Sequence, residues 1–152
     1  MNSKRIPVEW DDKLEIGIPL LDSHHKKIIQ FINDFYQACL ENTEAASRRV
    51  EGIICEAAIY TQQHFCIEEK LMLLFEFPGY FAHKKEHEVL SRKIFQQPGG
   101  NSKRGSLDAK RFINRIKKRM RSHIETHDKA MSDFFLKCIH NKKAEVPEQH
   151  SA

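Results

Sequence analysis

Residues 64–72 read His64-Phe65-Cys66-Ile67-Glu68-Glu69-Lys70-Leu71-Met72, and a little further on comes His83-Lys84-Lys85-Glu86-His87. On an α-helix, side chains four apart differ by about 40° in azimuth and about 6 Å along the axis. His64 with Glu68, and His83 with His87, therefore each present two donor groups to one point. The surrounding residues keep the same period. Val50, Ile54, Ala57, Thr61, His64, Glu68, Leu71 and Phe75 advance in steps of three and four. This predicts one long helix that starts after Asn42 and Thr43, both good N-cap residues, and runs to about Phe75. Phe77-Pro78-Gly79 stops it. A third helix over about Tyr80 to Gln97 carries His83, His87, Leu90 and Ile94 on one stripe.

Upstream, a first helix is predicted from about Pro19 to Leu40, since proline suits a first helical turn. Leu21, Ile28, Ile32, Phe35 and Cys39 recur at helical spacing, and His25 falls on their stripe. Before it, Pro7 and the Gly17-Ile18-Pro19 cluster disfavour helix, so an extended arm is expected there, with Val8, Trp10 and Ile16 available to pack across the helices. Downstream, Pro98-Gly99-Gly100-Asn101-Ser102 reads as a loop. Ser106 reads as the cap of a fourth helix, and Asp108 suits its positive end. That helix is predicted to reach about His140 with Phe112, Ile116, Met120, His123, Met131 and Phe135 on its stripe. No strand-like alternation stands out. The fold expected is all-α, an antiparallel up-down-up-down four-helix bundle over 19–140. It carries an extended N-terminal arm over 1–18 and a flexible tail over 141–152.

The 152 residues are about the size of one domain, with 40% hydrophobic and 30% charged residues. The apolar stretches are too short to cross a bilayer, and residues 1–10 lack the apolar core of a signal peptide, so the expected compartment is cytoplasmic. Cys39, Cys55, Cys66 and Cys138 form no C-x-x-C pair and are expected as buried thiols filling helix interfaces. The net charge is +4. Its basic part is concentrated in Lys103, Arg104, Lys110, Arg111, Arg115, Lys117, Lys118, Arg119 and Arg121. No aromatic interleaving or binding motif accompanies this run, so nucleic acid is a poor fit. A solvated helix face is the plain reading, and an acidic protein partner is the sharper one. A monomer or weak oligomer is expected.

Each pair of donors is a weak signal alone, because nine histidines produce chance spacings and a lone histidine on an apolar stripe is usually a core or boundary residue. The joint pattern is stronger. Each predicted helix contributes, and the set is His25, His64, Glu68, His83, His87, His123 and Asp128. Burying five imidazoles and two carboxylates without a cation would be severely destabilising. Such a mixture suits iron, zinc, copper or nickel better than calcium or magnesium. His123 and Asp128 are the awkward pair. Five α-helical residues sweep about 140° net, so the two cannot share one narrow stripe, and Asp128 is expected to reach in from a flank. His24 points about 100° from His25. His127 is the rival of Asp128, but an anionic carboxylate neutralises metal charge better. His140 and His150 are expected in solvent.

These residues closely resemble the hemerythrin family in its single-domain bacterial form. The matching segments are Val8-Glu9-Trp10, Leu21-Asp22-Ser23-His24-His25-Lys26, residues 64–72, Phe77-Pro78-Gly79-Tyr80 with residues 83–87, and His123-Ile124-Glu125-Thr126-His127-Asp128-Lys129. The resemblance implies a non-haem centre of two iron ions that binds dioxygen reversibly. It implies one iron on His83, His87 and His123, and the other on His25 and His64 with an open position. Glu68 and Asp128 would bridge them, together with a solvent-derived oxo or hydroxo group. It also implies an apolar wall for the dioxygen site, carried here by Ile28, Phe65, Met120 and Ile124, with Arg119 at the rim. The chain departs from the family in three places. Arg119 stands where a tryptophan is common, Met120 replaces a usual leucine, and Met131 stands where an aromatic hydroxyl residue is common.

The expected function is that of an oxygen-binding protein rather than an enzyme, one that carries, stores or delivers dioxygen. No effector domain follows the bundle within these residues, which favours that reading over a sensor of oxygen, nitric oxide or redox state. A slow di-iron enzyme that consumes peroxide or nitric oxide is the third alternative. Ferritin-like oxidases use carboxylate-rich sites with Glu-x-x-His pairs, whereas histidine dominates here.

Overall fold

The computed structural model describes residues 8–41, 43–95 and 105–145, and within them the side chains of all but 94–95, 105–110 and 143–145. Helix α1 is Pro19–Glu41, α2 is Glu44–Leu74, α3 is Tyr80–Phe95, α4 is Gly105–His123 and α5 is Lys129–Glu145. The residues between α4 and α5, Ile124–Asp128, form a π-helical turn, so α4, the turn and α5 make one long fourth rod. Helix α1 packs on α2 and α4, and α3 packs on α2 and α4. The short connections from α1 to α2 and from α2 to α3 make those neighbours antiparallel. The result is an all-α four-helix bundle.

The ends follow from local chemistry. Thr43 caps α2, its hydroxyl accepting from the Ala46 N–H at 3.0 Å. At the far end the Phe77 N–H reaches back to the Met72 carbonyl at 2.8 Å. The residue before it, Glu76, has φ of 53°. That is a Schellman-type stop in which a glutamate occupies the left-handed position that glycine usually takes. Pro78 and Gly79 then turn the chain into α3. The fourth rod begins at Gly105, one residue ahead of the expected Ser106 cap, and ends at Glu145, five residues beyond the expected His140. The loop 98–102, Asn42, Gln97, Lys103, Arg104 and residues 146–152 lie outside the described residues.

The core joins Leu21, Ile29 and Ile32 of α1, Met72 of α2, and Phe112, Ile113, Ile124, Met131 and Phe135 of the fourth rod. The arm adds Val8, Leu14 and Ile16. It is not uniformly extended. Asp12–Leu14 form one 3₁₀ turn, capped by the Asp11 side chain, which accepts from the Lys13 N–H. Asn33 of α1 holds Val8 at both backbone atoms, accepting from its N–H at 3.1 Å and donating to its carbonyl at 3.0 Å. Trp10 lies half-buried under the Lys26 ammonium, 4.8 Å from the ring centre.

Two features of the helices correct expectations. Cys55 and Cys66 are exposed, and Cys39 and Cys138 are only half-buried. None is a fully buried interface filler; Cys66, for one, sits about 100° or more around α2 from Phe65, Glu68 and Met72, which reach the core. The second correction is the π turn itself. Its backbone bonds span five residues instead of four, with the Lys129 N–H reaching the Ile124 carbonyl. Residues five apart therefore share a face here, and Asp128 does not come from a flank.

Candidate metal centre

Helix α1 brings His25, α2 brings His64 and Glu68, α3 brings His83 and His87, and the fourth rod brings His123 and Asp128. All seven side chains are buried, Glu68 and Asp128 completely. They meet as two overlapping groups of donors. Glu68, His83, His87, His123 and Asp128 form one, and His25, His64, Glu68 and Asp128 form the other, with donor atoms in each group within 4.8 Å of one another.

The two carboxylates divide their oxygens between these groups. Glu68 turns Oε2 to His87 Nε2 at 3.0 Å and to His83 Nε2 at 3.9 Å. Its Oε1 faces His64 Nε2 at 3.4 Å and His25 Nε2 at 4.0 Å. Asp128 turns Oδ1 to His83 Nε2 at 2.9 Å and His123 Nε2 at 3.0 Å, and Oδ2 to His25 Nε2 at 3.2 Å. These approaches lack hydrogen-bond geometry. All four carboxylate oxygens, with His25 Nε2 and His87 Nε2, are buried without a hydrogen-bond partner. The groups aim at shared points between them and not at one another.

The electrostatics are those of a site short of positive charge. Burial, and then the charge of neighbouring His25, holds His64 down to about 3. Burial and His83 hold His87 down to about 2. Both are therefore neutral imidazoles at ordinary pH, the form that ligates. Burial and the nearby Asp128 charge push Glu68 well above the carboxylate range. Burial alone would raise Asp128 too, but the imidazoles of His123, His25 and His83 around it win and hold it well below that range.

Above His25, His64, His123 and Asp128 lies a small cavity of about 40 Å³. It is walled by Ile28, Phe65, Leu90, Ile116, Met120 and Ile124, with Thr61 beside them. It has room for a diatomic molecule and little else. Thr61, Leu90 and Ile116 join the four wall residues that the resemblance implied, and each was already visible on a helical stripe. Arg119 is not among the lining residues. It sits about 100° around the helix from Met120 and reaches across to α3, where its Nη2 lies 3.4 Å from Glu86 Oε1. The expectation of a charged residue at the cavity rim is corrected by that geometry.

The remaining histidines stand outside the cluster. His24 is half-buried beside His64, and its ring meets Tyr60 edge-on. His127 is half-buried and stacks on His123 at 5.5 Å. His140 is exposed, and His150 lies outside the described residues. One partner went unnoticed in the sequence. Glu69, beside Glu68, turns outward to His87 Nδ1 at 3.1 Å.

The arrangement agrees with what the chain is similar to. A bacteriohemerythrin of Stenotrophomonas maltophilia is 38% identical over 85 residues, covering 56% of this chain and 54% of that protein. One of Pseudomonas aeruginosa is 39% identical over 88 residues, covering 56% and 54%. A myohemerythrin of Riftia pachyptila is 30% identical over 88 residues, covering 58% and 66%. The matched part of the chain thus spans about half the length of the first two. The family profile of the hemerythrin HHE cation-binding domain matches residues 16–131, from the arm through the π turn into α5. With a match over that much of the bundle, the chain belongs to the hemerythrin family.

Proposed function

We propose that this protein binds dioxygen reversibly at a non-haem centre of two irons held by His25, His64, Glu68, His83, His87, His123 and Asp128. The observation that carries the reading is the division of each carboxylate between two sets of imidazoles. A buried carboxylate with both oxygens unpartnered is strongly disfavoured. Cations on either side of Glu68 and Asp128 would satisfy all four oxygens at once, and an imidazole–carboxylate set suits iron. The residues present therefore fit the group. In this reading His83, His87 and His123 hold one iron, His25 and His64 hold the other, and the carboxylates bridge them with an oxo or hydroxo group from solvent.

When bound, the ferrous pair supplies the electrons and the open coordination position that dioxygen needs. The protein supplies the rest. His64 and His87 stay neutral and need no deprotonation to bind metal. Ile28, Leu90, Ile116, Met120 and Ile124 exclude water and anions from the cavity beside His25 and His64. The small cavity admits dioxygen and leaves no space for a larger substrate, which favours binding over turnover.

Ferrous protein exposed to air should gain visible ligand-to-iron charge-transfer absorption that fades under inert gas. Glu68→Ala should lose it. A wild-type spectrum that never changes in air would remove the proposal.

A further inference from the structure

The five imidazoles are held differently on their outer sides. His87 is the most constrained. Its Nδ1 lies 3.1 Å from Glu69 Oε1, and Glu69 Oε2 lies 3.4 Å from Lys84 Nζ. Lys84 is itself tethered, since its ammonium donates to the Tyr80 hydroxyl at 3.4 Å. The Phe65 ring stacks flat on His87, 3.9 Å between centres and 10° between planes. His64 has a weaker companion. Its Nδ1 faces His24 Nδ1 at 3.4 Å, and His24 is a neutral, half-exposed ring. The Nδ1 atoms of His25, His83 and His123 have no hydrogen-bond partner among the described residues.

These differences bear on metal affinity. A carboxylate that accepts from Nδ1–H fixes the tautomer, orients the ring and makes Nε2 a stronger donor. Removing such a partner typically costs about 10–100-fold in metal affinity. A neutral imidazole accepting over a longer distance does the same job less well. The strong support falls on the side of His83, His87 and His123, and the weak one on the side of His25 and His64.

We propose that Glu69 and His24 are positioning residues that make the two metal positions unequal: the one served by His87 fills first and holds tighter, and the one served by His64 fills second, with an affinity set by His24. The proposal rests on the two-metal reading above and adds an order of loading to it. Its consequence is a stable species with one metal, in which the position facing the small cavity is the empty one.

The test is an anaerobic titration of metal-free protein with cobalt(II), followed by ligand-field absorption and calorimetry. Wild type should bind two ions in two steps separated by 10-fold or more. Glu69→Ala should weaken the first step by about 10–100-fold and leave the second within a factor of about three. His24→Ala should weaken only the second step, and His24→Gln should restore it, because an amide oxygen can accept from His64 Nδ1. Far-UV circular dichroism shows whether each metal-free variant keeps its helices. Two ions bound with equal affinity in wild type, or a Glu69→Ala variant that weakens both steps alike, overturns the proposal and leaves the two-metal centre standing. Failure of wild type to bind a second ion overturns both.

Discussion

His123 and Asp128 stand five residues apart in the chain and 3.0 Å apart in space, Nε2 to Oδ1, across a π turn. On a regular α-helix the same pair would diverge by about 140°. Deleting one residue from the turn should restore plain α geometry with His123 and Asp128 four apart, about 40° from one another, so the pair should still converge on the cluster. Thr126 is exposed, so its deletion removes no core contact. The expected product is a helical, folded protein that still binds two metals, as read by circular dichroism and metal analysis. A folded variant that binds at most one metal would contradict this and show that the π turn itself is needed.

Ser132 lies one turn after Asp128, is wholly buried, and donates its hydroxyl to the Ile16 carbonyl of the arm. On the other side, Asp22 of α1 accepts from the Ile16 N–H at 2.9 Å and from the Gly17 N–H at 3.1 Å. The arm thereby ties the helix of His25 to the helix of Asp128. Ser132→Ala leaves a buried carbonyl without a donor and should cost about 1–3 kcal/mol. Chemical denaturation of the metal-free protein reads this directly, and a loss under about 0.5 kcal/mol would contradict it.

Acidification should unfold the metal-free protein. His64 and His87 are held down to about 3 and about 2 in the fold, against about 6.5 for a free imidazole. Between those values the unfolded chain binds more protons, so stability is present above about pH 6.5 and is lost as pH falls below it. Glu68 works the other way, because its raised carboxyl keeps a proton that the unfolded chain has released. Two imidazoles outweigh one carboxyl, and His24 and His127, also held down by burial, add in the same direction, which leaves a net slope of at least about one proton, or about 1.4 kcal/mol per pH unit. With metal bound, Glu68 is ionised and its opposing effect disappears, so the acid transition should steepen. Denaturation midpoints from pH 7 to 5 that stay flat in both forms would contradict the assignment.

The cavity wall should govern how long the ferrous protein survives in air. Ile28 is half-buried and faces the cavity. Ile28→Asn puts an amide where there is apolar wall and gives water a partner inside. The visible absorption formed in air should then decay several-fold faster than in wild type. Equal decay rates would mean that the wall does not exclude water.

Much of this was legible in the chain because helical spacing is a local property. The starts of α1 and α3, the Thr43 cap and the stop before Pro78 all follow from side-chain chemistry within a few residues. The seven donors were legible because each helix carries its own on the core-facing stripe. What the spacing could not show is the backbone. The π turn changes the arithmetic of His123 and Asp128, and no residue type from 124 to 128 announces it. Contacts between helices were also hidden. The turn of Arg119 toward Glu86, the exposure of Cys55 and Cys66, and the grip of Glu69 on His87 depend on where a neighbouring helix runs.

The most direct test is gas uptake by iron-loaded protein, with iron counted on the same sample. The account predicts two irons per chain on the seven donors, one dioxygen taken up for each pair, and the same amount of gas returned on degassing over repeated cycles. Uptake without return, or a chain that holds a single iron at saturation, would contradict it.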